Sequence, residues 1–208
     1  FDVVCHLAAQ IDVRKSVAAP AADAQLNIGG SLNLLEAVRA SGAPTRFVFS
    51  STGGAVYGDL VAPPTEETAP KDPQSPYGTA KLSVEYYMGY YARVHGLDTV
   101  ALRYSNVYGP RQDSHGDAGV IAIYAGKLLA RERPVIFGDG SQTRDFVYVD
   151  DVVDAFVRAS EKGGGLLLNI GTGIETSVQQ LYDNMAKLTG WKEPAQYMPP
   201  RTGDVLRS

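Results

Sequence analysis

Strand-length apolar runs alternate with helical patterns along the first half of the chain, and this order restricts the fold more than any other feature. The segments DVVCHLA, RFVFSS and DTVALRY read as strands, with helices expected over about 20–40 and 77–95. Strands that alternate with helices form parallel sheets, and strands without a polar face fit a sheet covered on both sides. We therefore predict an α/β fold with a doubly wound parallel sheet. The apolar face of the first helix should comprise Leu26, Leu32, Leu34, Leu35 and Val38.

After Tyr104 the pattern is less regular. NVYGPRQDSHGDAG reads as a long polar loop, and a helix is expected over about 120–131. Short strands are expected at PVIFG and FVYV, followed by a helix with Asp150 or Asp151 as its N-cap. GLLLNIG reads as a last strand and TSVQQLYDNMAKLTG as a last helix.

Composition argues against several classes of protein. The net charge of −4 does not suit a nucleic-acid binder, which usually carries a basic face. No apolar run approaches the roughly 18 residues of a membrane span. The single cysteine, Cys5, excludes an internal disulfide and fits a reducing compartment, so we expect a cytoplasmic location. Its apolar neighbours predict a place in the core, and no nucleic-acid, membrane or metal partner is expected.

Tyr77 and Lys81 form the strongest candidate for chemistry. They lie four residues apart in SPYGTAKLSVEYY, which places both on one face of a helix. An ammonium group beside a phenol stabilises the phenolate, so the pair is a candidate general acid/base near neutral pH. An exposed Tyr-x-x-x-Lys without function is the alternative, because chance often produces this spacing.

Several further strings give the chain a family resemblance. Thr52, in SSTGGAVYG, precedes Tyr77 by 25 residues. The chain also contains, in order, HLAAQIDVRKS, NIGGSLNLLEA, LRYSNVYGPRQ, VIFGDGSQTRDFVYVDDVVDA, NIGTG and PPRTGDV. Together these resemble the extended short-chain dehydrogenase/reductases, in the branch of NAD-dependent nucleotide-sugar epimerases and dehydratases. The resemblance runs from the first residue to the last.

This resemblance implies a Rossmann-like domain with bound NAD and a small substrate lobe. Residues 1–104 and 140–172 would form the first, and residues 105–139 and 173–208 the second. A dinucleotide fold normally begins with a Gly-rich turn for the pyrophosphate, and no G-x-x-G-x-x-G occurs here. We therefore expect that this sequence is a fragment lacking roughly 60–70 upstream residues, or two strand–helix units.

The implied reaction is epimerisation at C4 of a UDP-hexose through a transient 4-keto sugar. Tyr77 would be the base, Lys81 its cationic partner and Thr52 the hydroxyl that holds the 4-oxygen, with Ser51 as the alternative hydroxyl. Dehydratases of the family carry an extra acid in this loop, whereas this chain has Gly53, Gly54 and Ala55. A UDP-glucuronate 4-epimerase, a dTDP-sugar epimerase or 4-ketoreductase, and a non-catalytic cofactor-sensing relative stay open as alternatives.

The resemblance also assigns binding residues. Those expected to contact NAD, besides the catalytic pair, are Leu7, Ala8, Ala9, Gln10, Asn27 and Tyr104. Those expected to contact the UDP-sugar, besides Thr52, are Asn106, Phe137, Arg144, Arg201, Asp204 and Ser208. Ser208 stands where a bulky tyrosine excludes N-acetylated sugars, so the N-acetyl forms of both hexoses are candidate substrates. His6 is expected to be a packed core residue. Family members are commonly homodimers, and the tyrosine-rich segment SVEYYMGYYARV would suit such an interface.

Overall fold

The computed structural model describes residues 1–58, 64–114, 119–201 and 206–208. The strands are β1 (Val3–His6), β2 (Arg46–Thr52), β3 (Asp98–Tyr104), β4 (Asn106–Tyr108), β5 (Val135–Phe137), β6 (Thr143–Arg144), β7 (Phe146–Tyr148), β8 (Leu167–Ile170), β9 (Thr176–Ser177) and β10 (Gln196–Met198). The helices are α1 (Val13–Ala18), α2 (Pro20–Ala24), α3 (Gly30–Ser41), α4 (Gly53–Val56), α5 (Pro76–His95), α6 (Val120–Leu129), α7 (Val149–Glu161) and α8 (Val178–Thr189). A π-helical turn, Gln25–Gly29, joins α2 to α3.

A parallel sheet in the order β1-β2-β3-β8 confirms the predicted α/β class. Its register pairs Thr52 with Tyr104 and Tyr104 with Ile170. The carboxyl ends of three strands therefore meet at one edge, which is where open α/β sheets bind their ligands.

Alternate residues of the central strands pack on opposite faces of the sheet. Phe47 and Phe49 of β2 join a cluster with α3 and α5, whereas Val48 joins one with α7. Such residues can be apolar on both sides only because helices cover both sides. The sheet and the helices thus hold the ends of β2 and β3 rigidly beside the first turn of α5.

A third cluster lies outside the main sheet. It gathers residues of α6, α8 and β5, including Tyr124, Leu128, Ile136, Leu181 and Tyr182. Strands β5 and β10 pair beside it, in parallel. The domain boundaries proposed from the sequence remain a prediction.

The helix expected over about 20–40 differs from the structure. The π-helical turn divides it, and an extra residue per turn changes which side chains face the core. Leu35 and Val38 are buried as expected, but Leu26 is 62% and Leu34 38% exposed. The apolar face predicted for this segment was therefore partly wrong.

Other local expectations also need correction. Cys5 is exposed, because β1 is an edge strand of the described sheet. The cap of α7 is Tyr148, and Asp150 and Asp151 lie in its first turn, where carboxylates favour the helix dipole. Helix α1 was not predicted. Within the described ranges no helix is long and apolar enough to cross a membrane.

Candidate active site

Helix α5 brings Tyr77 and Lys81 to the carboxyl end of the sheet. Pro76 opens the helix, and the Ser75 hydroxyl accepts a hydrogen bond from the Gly78 N–H at 3.1 Å. Lys81 is buried, and its Nζ donates to the Ser50 carbonyl oxygen at 2.8 Å. The same Nζ lies 5.9 Å from the centroid of the Tyr77 ring. The two side chains thus share one helix face, as predicted.

The electrostatics of the pair differ from the expectation of a phenolate near neutral pH. Burial, with a smaller effect of the Asp23 charge, raises the pKa of Tyr77 to about 12. Burial also lowers the pKa of Lys81 to about 8, against the opposing charges of Asp23 and Glu85. Removal from water outweighs the ammonium charge at Tyr77, so the chain's own residues hold it as a phenol at neutral pH.

The structure separates the two candidate hydroxyls, Thr52 and Ser51. Ser51 is buried, and its Oγ donates to Glu85 Oε1 at 2.5 Å. Thr52 is half-buried at the end of β2, and its Oγ1 lies 3.8 Å from where a Cβ on Gly54 would stand. Because Ser51 is occupied by a buried carboxylate, Thr52 is the better candidate for contact with a substrate.

Helix α5 and the loop after β2 approach closely at Gly78. A Cβ added to Gly78 would lie 2.6 Å from the Ala55 carbonyl oxygen. Such a contact is too short for any side chain, so glycine is required here. The absence of a side chain lets the turn that bears Tyr77 pack directly on α4, which follows Thr52.

Asn27 holds the loop that follows β1. Its Oδ1 accepts from the Gln10 N–H at 2.9 Å, and its Nδ2 donates to the Gln10 carbonyl at 3.0 Å. Asp23 Oδ1 accepts from both side-chain amides, at 2.9 Å from Gln10 and 3.0 Å from Asn27. The π-helical turn places Asn27 for these contacts, and π-helical turns are frequent at functional sites.

The loop so held presents the residues expected to contact the cofactor. Leu7 and Ala8 are exposed and Ala9 is half-buried. They follow β1 at the carboxyl edge of the sheet, on the same edge as Lys81. A flat aromatic ring or a ribose can approach this backbone closely, because the two alanines carry only methyl groups.

His6 is a packed residue, as expected. It is buried between Phe47 and Phe49, with ring centroids 5.7 and 5.6 Å away. The Ser31 hydroxyl donates to the Asn27 carbonyl at 2.6 Å, so His6 Nε2 is the donor in its 2.8 Å bond to Ser31 Oγ. Burial lowers the pKa of His6, and the ring is therefore neutral at pH 7.

The position of Tyr104 does not favour a side-chain contact with the cofactor. Its ring packs beneath the sheet, 5.8 Å from that of Phe156. Burial raises the pKa of its hydroxyl, against the smaller opposing effect of the Ser50 side chain. Alternation along β3 is the cause, because the side chain that ends this strand points into the face covered by α7.

The predicted sugar-side residues meet near Gly54. Asn106 Nδ2 donates to Ser208 Oγ at 3.3 Å. Ser208 Oγ lies 3.7 Å from where a Cβ on Gly54 would stand. The backbone of Arg144 lies close to that of Ser208, because the N–H of the next residue, Asp145, donates to the Ser208 carbonyl at 2.8 Å. Residues from β4, β6 and the last described segment therefore meet beside residues 52–56, the candidate catalytic loop.

Phe137 and Arg201 lie together at the end of the β5–β10 pair. The Arg201 guanidinium stands 3.7 Å from the centroid of the Phe137 ring. A cation suits a diphosphate, and an aromatic face suits a nucleobase. In this structure the two side chains contact each other. Asp204, the remaining predicted contact, lies outside the described residues.

A cavity of about 210 Å³ opens beside this convergence. Gly54 and Ser208 form one wall, and it extends past Tyr57, Arg103 and Asn169. Glu175 and Arg207, which form an ion pair at 2.7 Å, line its other end. The cavity therefore adjoins both Gly54 and the partly exposed ion pair of Glu175 and Arg207.

Comparison with known proteins agrees with this geometry. Residues 1–171 match the NAD dependent epimerase/dehydratase family.

The chain belongs to this family.

Three relatives from this epimerase/dehydratase family illustrate the likeness. The UDP-glucose 4-epimerase of Mycolicibacterium smegmatis is 49% identical over 208 residues, which cover 100% of this chain and 66% of the relative. The crystal structure of UDP-glucose 4-epimerase with UDP-glucose from Thermotoga maritima has a TM-score of 0.97 at 52% identity, covering 100% of this chain and 67% of the other. The crystal structure of Thermus thermophilus UDP-glucose 4-epimerase in complex with NAD has a TM-score of 0.91 at 41% identity, covering 100% and 68%. The chain thus spans about two thirds of the length of these relatives.

One group of buried charges in this family member was not predicted. Glu85 lies one helical turn after Lys81 and pairs with Arg103 of β3. The available signal was Arg103, which directly follows the apolar run of β3, because a buried arginine needs a partner. No cluster of side chains able to hold a metal occurs within the described ranges.

Proposed function

We propose that the full-length protein containing this chain is an NAD-dependent UDP-hexose 4-epimerase that interconverts UDP-glucose and UDP-galactose. One observation carries the proposal. Thr52 at the end of β2 and Tyr77 in the first turn of α5 lie at the same edge of the sheet, and Lys81, one turn further along α5, is bonded to the Ser50 carbonyl. A hydroxyl, a phenol and an ammonium group there suit oxidation and reduction of a secondary alcohol.

The donor set at this edge fits the cofactor. Lys81 has three N–H donors, of which one is bonded to Ser50 within the described structure, so others are free for the hydroxyls of a ribose. The exposed Leu7 and Ala8 offer an apolar contact on the same edge. The chemistry that NAD supplies when bound is acceptance and return of hydride at C4.

Proton transfer is the part of the reaction that this chain performs. Tyr77 as the phenolate takes the proton of the 4-hydroxyl, and the phenol so formed gives the proton back when the 4-keto sugar is reduced. Because burial favours its phenol form, Tyr77 depends on nearby positive charge, including that of Lys81, to act as a base. Thr52 holds the 4-oxygen by a hydrogen bond, near the phenol.

The loop after β2 argues against dehydration of the sugar. Removing water across C5 and C6 needs an acid and a base in addition to Tyr77. Gly53, Gly54 and Ala55 lie in α4 and carry no titratable group. Positions 53–55 therefore do not supply the additional acid and base that 4,6-dehydration requires, whereas epimerisation does not need them.

The family resemblance assigns the substrate contacts of the proposed reaction, and Asp204 among them lies outside the described residues. Arg144 and Arg201 supply cations for the diphosphate, Phe137 a face for the uracil, and Asp204 an acceptor for ribose hydroxyls. Asn106 contacts the sugar-phosphate side. Ser208 borders both Gly54 and the 210 Å³ cavity, so a C2 acetamido group has space there. UDP-GlcNAc and UDP-GalNAc are therefore proposed as additional substrates.

The function is tested with the full-length protein and UDP-galactose, without added reductant. We expect UDP-glucose to form while absorbance of reduced cofactor stays constant. Y77F should slow turnover by about 10²–10⁴-fold at an unchanged melting temperature. Y148F, at the exposed N-cap of α7, serves as the control. No conversion by the wild-type protein, or stoichiometric use of NAD(P)H, would contradict the proposal.

The acetamido specificity has its own test. Wild-type protein should turn over UDP-GalNAc, and S208Y should lose that activity while keeping UDP-galactose turnover. Activity of the wild type on the non-acetylated sugars alone would contradict this part.

A homodimer is also proposed. Tyr86 is 67% exposed on α5, and Tyr87, Tyr90 and Val94 are exposed on the same helix. Interfaces are enriched in tyrosine, and continuous exposed apolar area marks contact sites. Sedimentation should show a dimer that Y86E weakens and that L188E, on the exposed side of α8, does not. A cytoplasmic location stays a prediction.

A further inference from the structure

The buried ion pair of Glu85 and Arg103 lies directly behind the candidate catalytic loop. Its side chains are 3% and 2% exposed, and Arg103 Nη2 donates to Glu85 Oε2 at 2.6 Å. A second bond runs from Arg103 Nε to Glu85 Oε1 at 2.9 Å. This is a bidentate pair in which both orientation and distance are fixed.

Both ends of the loop that carries Thr52 are bonded to this pair. Before the loop, Ser51 Oγ donates to Glu85 Oε1 at 2.5 Å. After it, the Tyr57 hydroxyl accepts from Arg103 Nη1 at 2.6 Å. Residues 52–56 are thus bracketed by two side chains that share one ion pair.

The pair also connects the loop to its neighbours. Glu85 lies two turns beyond Tyr77 on α5, on the face that carries Lys81. On the other side, the Tyr57 hydroxyl donates to Asn169 Oδ1 of β8 at 2.8 Å. One network of directional bonds therefore joins the helix of the candidate base, the loop of the candidate hydroxyl and the cavity wall.

Stability alone does not account for such a pair. Removing two charges from water is costly, and apolar residues of similar volume often replace buried ion pairs without loss of stability. Apolar packing, however, cannot bond Ser51 and Tyr57 in fixed directions. Reactions that depend on two oriented groups lose about 10²-fold in rate when one is misplaced by 1 Å.

We propose that Glu85 and Arg103 are positioning residues, which fix the loop of Thr52 against the helix of Tyr77 and Lys81. The inference rests on the proposed function. It assigns neither residue a contact with the substrate. The pair acts through Thr52, and this makes its effect separable from a general structural role.

The test compares E85L/R103M, S51A/Y57F and T52A in the full-length protein. We expect E85L/R103M to fold with a lowered melting temperature, because Ser51 and Tyr57 lose their partners, and to lose about 10–100-fold in kcat with a much smaller change in KM. The matched control is D154N/R158M, which removes an exposed ion pair of α7 and should leave both constants unchanged.

A kinetic double-mutant cycle distinguishes positioning from structure. If the pair acts through Thr52, adding E85L/R103M to T52A should cost little further activity. Losses that multiply, or a folded E85L/R103M protein with wild-type kcat, would overturn the proposal. Should E85L/R103M not fold, S51A/Y57F takes its place in the same cycle, because it removes both bonds to the loop and leaves the ion pair itself intact. An inactive wild type would refute the proposed function and is distinguishable from these outcomes.

Discussion

Lys81 donates a hydrogen bond to the Ser50 carbonyl at 2.8 Å, and so joins helix α5 to strand β2 two residues before Thr52. The bond holds a buried cation at the point where the candidate hydroxyl, the candidate base and the expected ribose meet. Burial opposes the charge of this cation and lowers the pKa of Lys81 to about 8.

The Lys81 pKa predicts a pH dependence of stability in the protein without bound cofactor. Between about pH 8 and 10.5 the folded state has released the lysine proton, while the unfolded state still binds it. Stability should therefore rise with pH in this window, because the cost of burying the charge disappears. The wild-type free energy of unfolding should gain up to about 3 kcal/mol relative to K81M between about pH 7.5 and 10, by urea denaturation. An equal change in both proteins would contradict the shift.

Substitutions of the two hydroxyls should have different consequences. T52A should lower kcat by about 10–100-fold with little change in stability, and T52S should restore most of the rate. S51A should instead destabilise the fold by roughly 1–3 kcal/mol, because Glu85 loses a buried hydrogen-bond donor. Steady-state kinetics and urea denaturation on the same preparations measure both effects. A larger kcat loss in S51A than in T52A, at equal stability, would reverse the assignment of the catalytic hydroxyl.

Substitution of Asn27 should weaken the binding of NAD more than it slows turnover by the protein with NAD bound. N27A leaves the N–H and the carbonyl of Gln10 without their side-chain partner, so the loop of Leu7 to Gln10 loses its anchor. We expect weaker binding of NAD, by about 10-fold or more, measured by titration of the apoprotein. S83A, which alters a half-buried hydroxyl of α5 away from this loop, is the control. Unchanged NAD affinity in N27A would show that the loop needs no such anchor.

Gly78 should be intolerant of any side chain. G78A places a methyl group 2.6 Å from the Ala55 carbonyl oxygen, which forces α4 and α5 apart. Both the melting temperature and kcat should fall, since the loop of Thr52 moves with α4. The control is G30A, because a Cβ there meets nothing within 4 Å. Alanine favours a helix over glycine by roughly 0.5–1 kcal/mol, so G30A should be neutral or stabilising.

Much of the fold could be predicted because apolar runs of strand length alternate with helical patterns along the chain. The strands β2, β3 and β8 and the helices α5, α6 and α8 all lie where apolar runs and caps place them. Local departures had local causes. The π-helical turn of Gln25–Gly29 changed the helical phase and exposed Leu26, which no pattern of apolar spacing reveals.

The candidate site was predictable as a set of residue types and less so as a set of contacts. Spacing alone paired Tyr77 with Lys81. The choice between Ser51 and Thr52 needed the position of Glu85, which is remote in sequence from both. The raised pKa of Tyr77 likewise depends on burial, and burial of one phenol is a property of the folded chain.

The contact between Gly78 and the Ala55 carbonyl has a consequence for redesign of this scaffold. An engineer who wished to convert the protein to dehydratase chemistry would add carboxylates at positions 53 to 55. Those side chains could gain no room by displacing the loop towards α5, since backbone already meets backbone there. A side chain at position 54 would project toward Ser208 and one at position 53 would contact the Tyr104 carbonyl, so the loop, the end of β3 and the sugar pocket would need to be redesigned together.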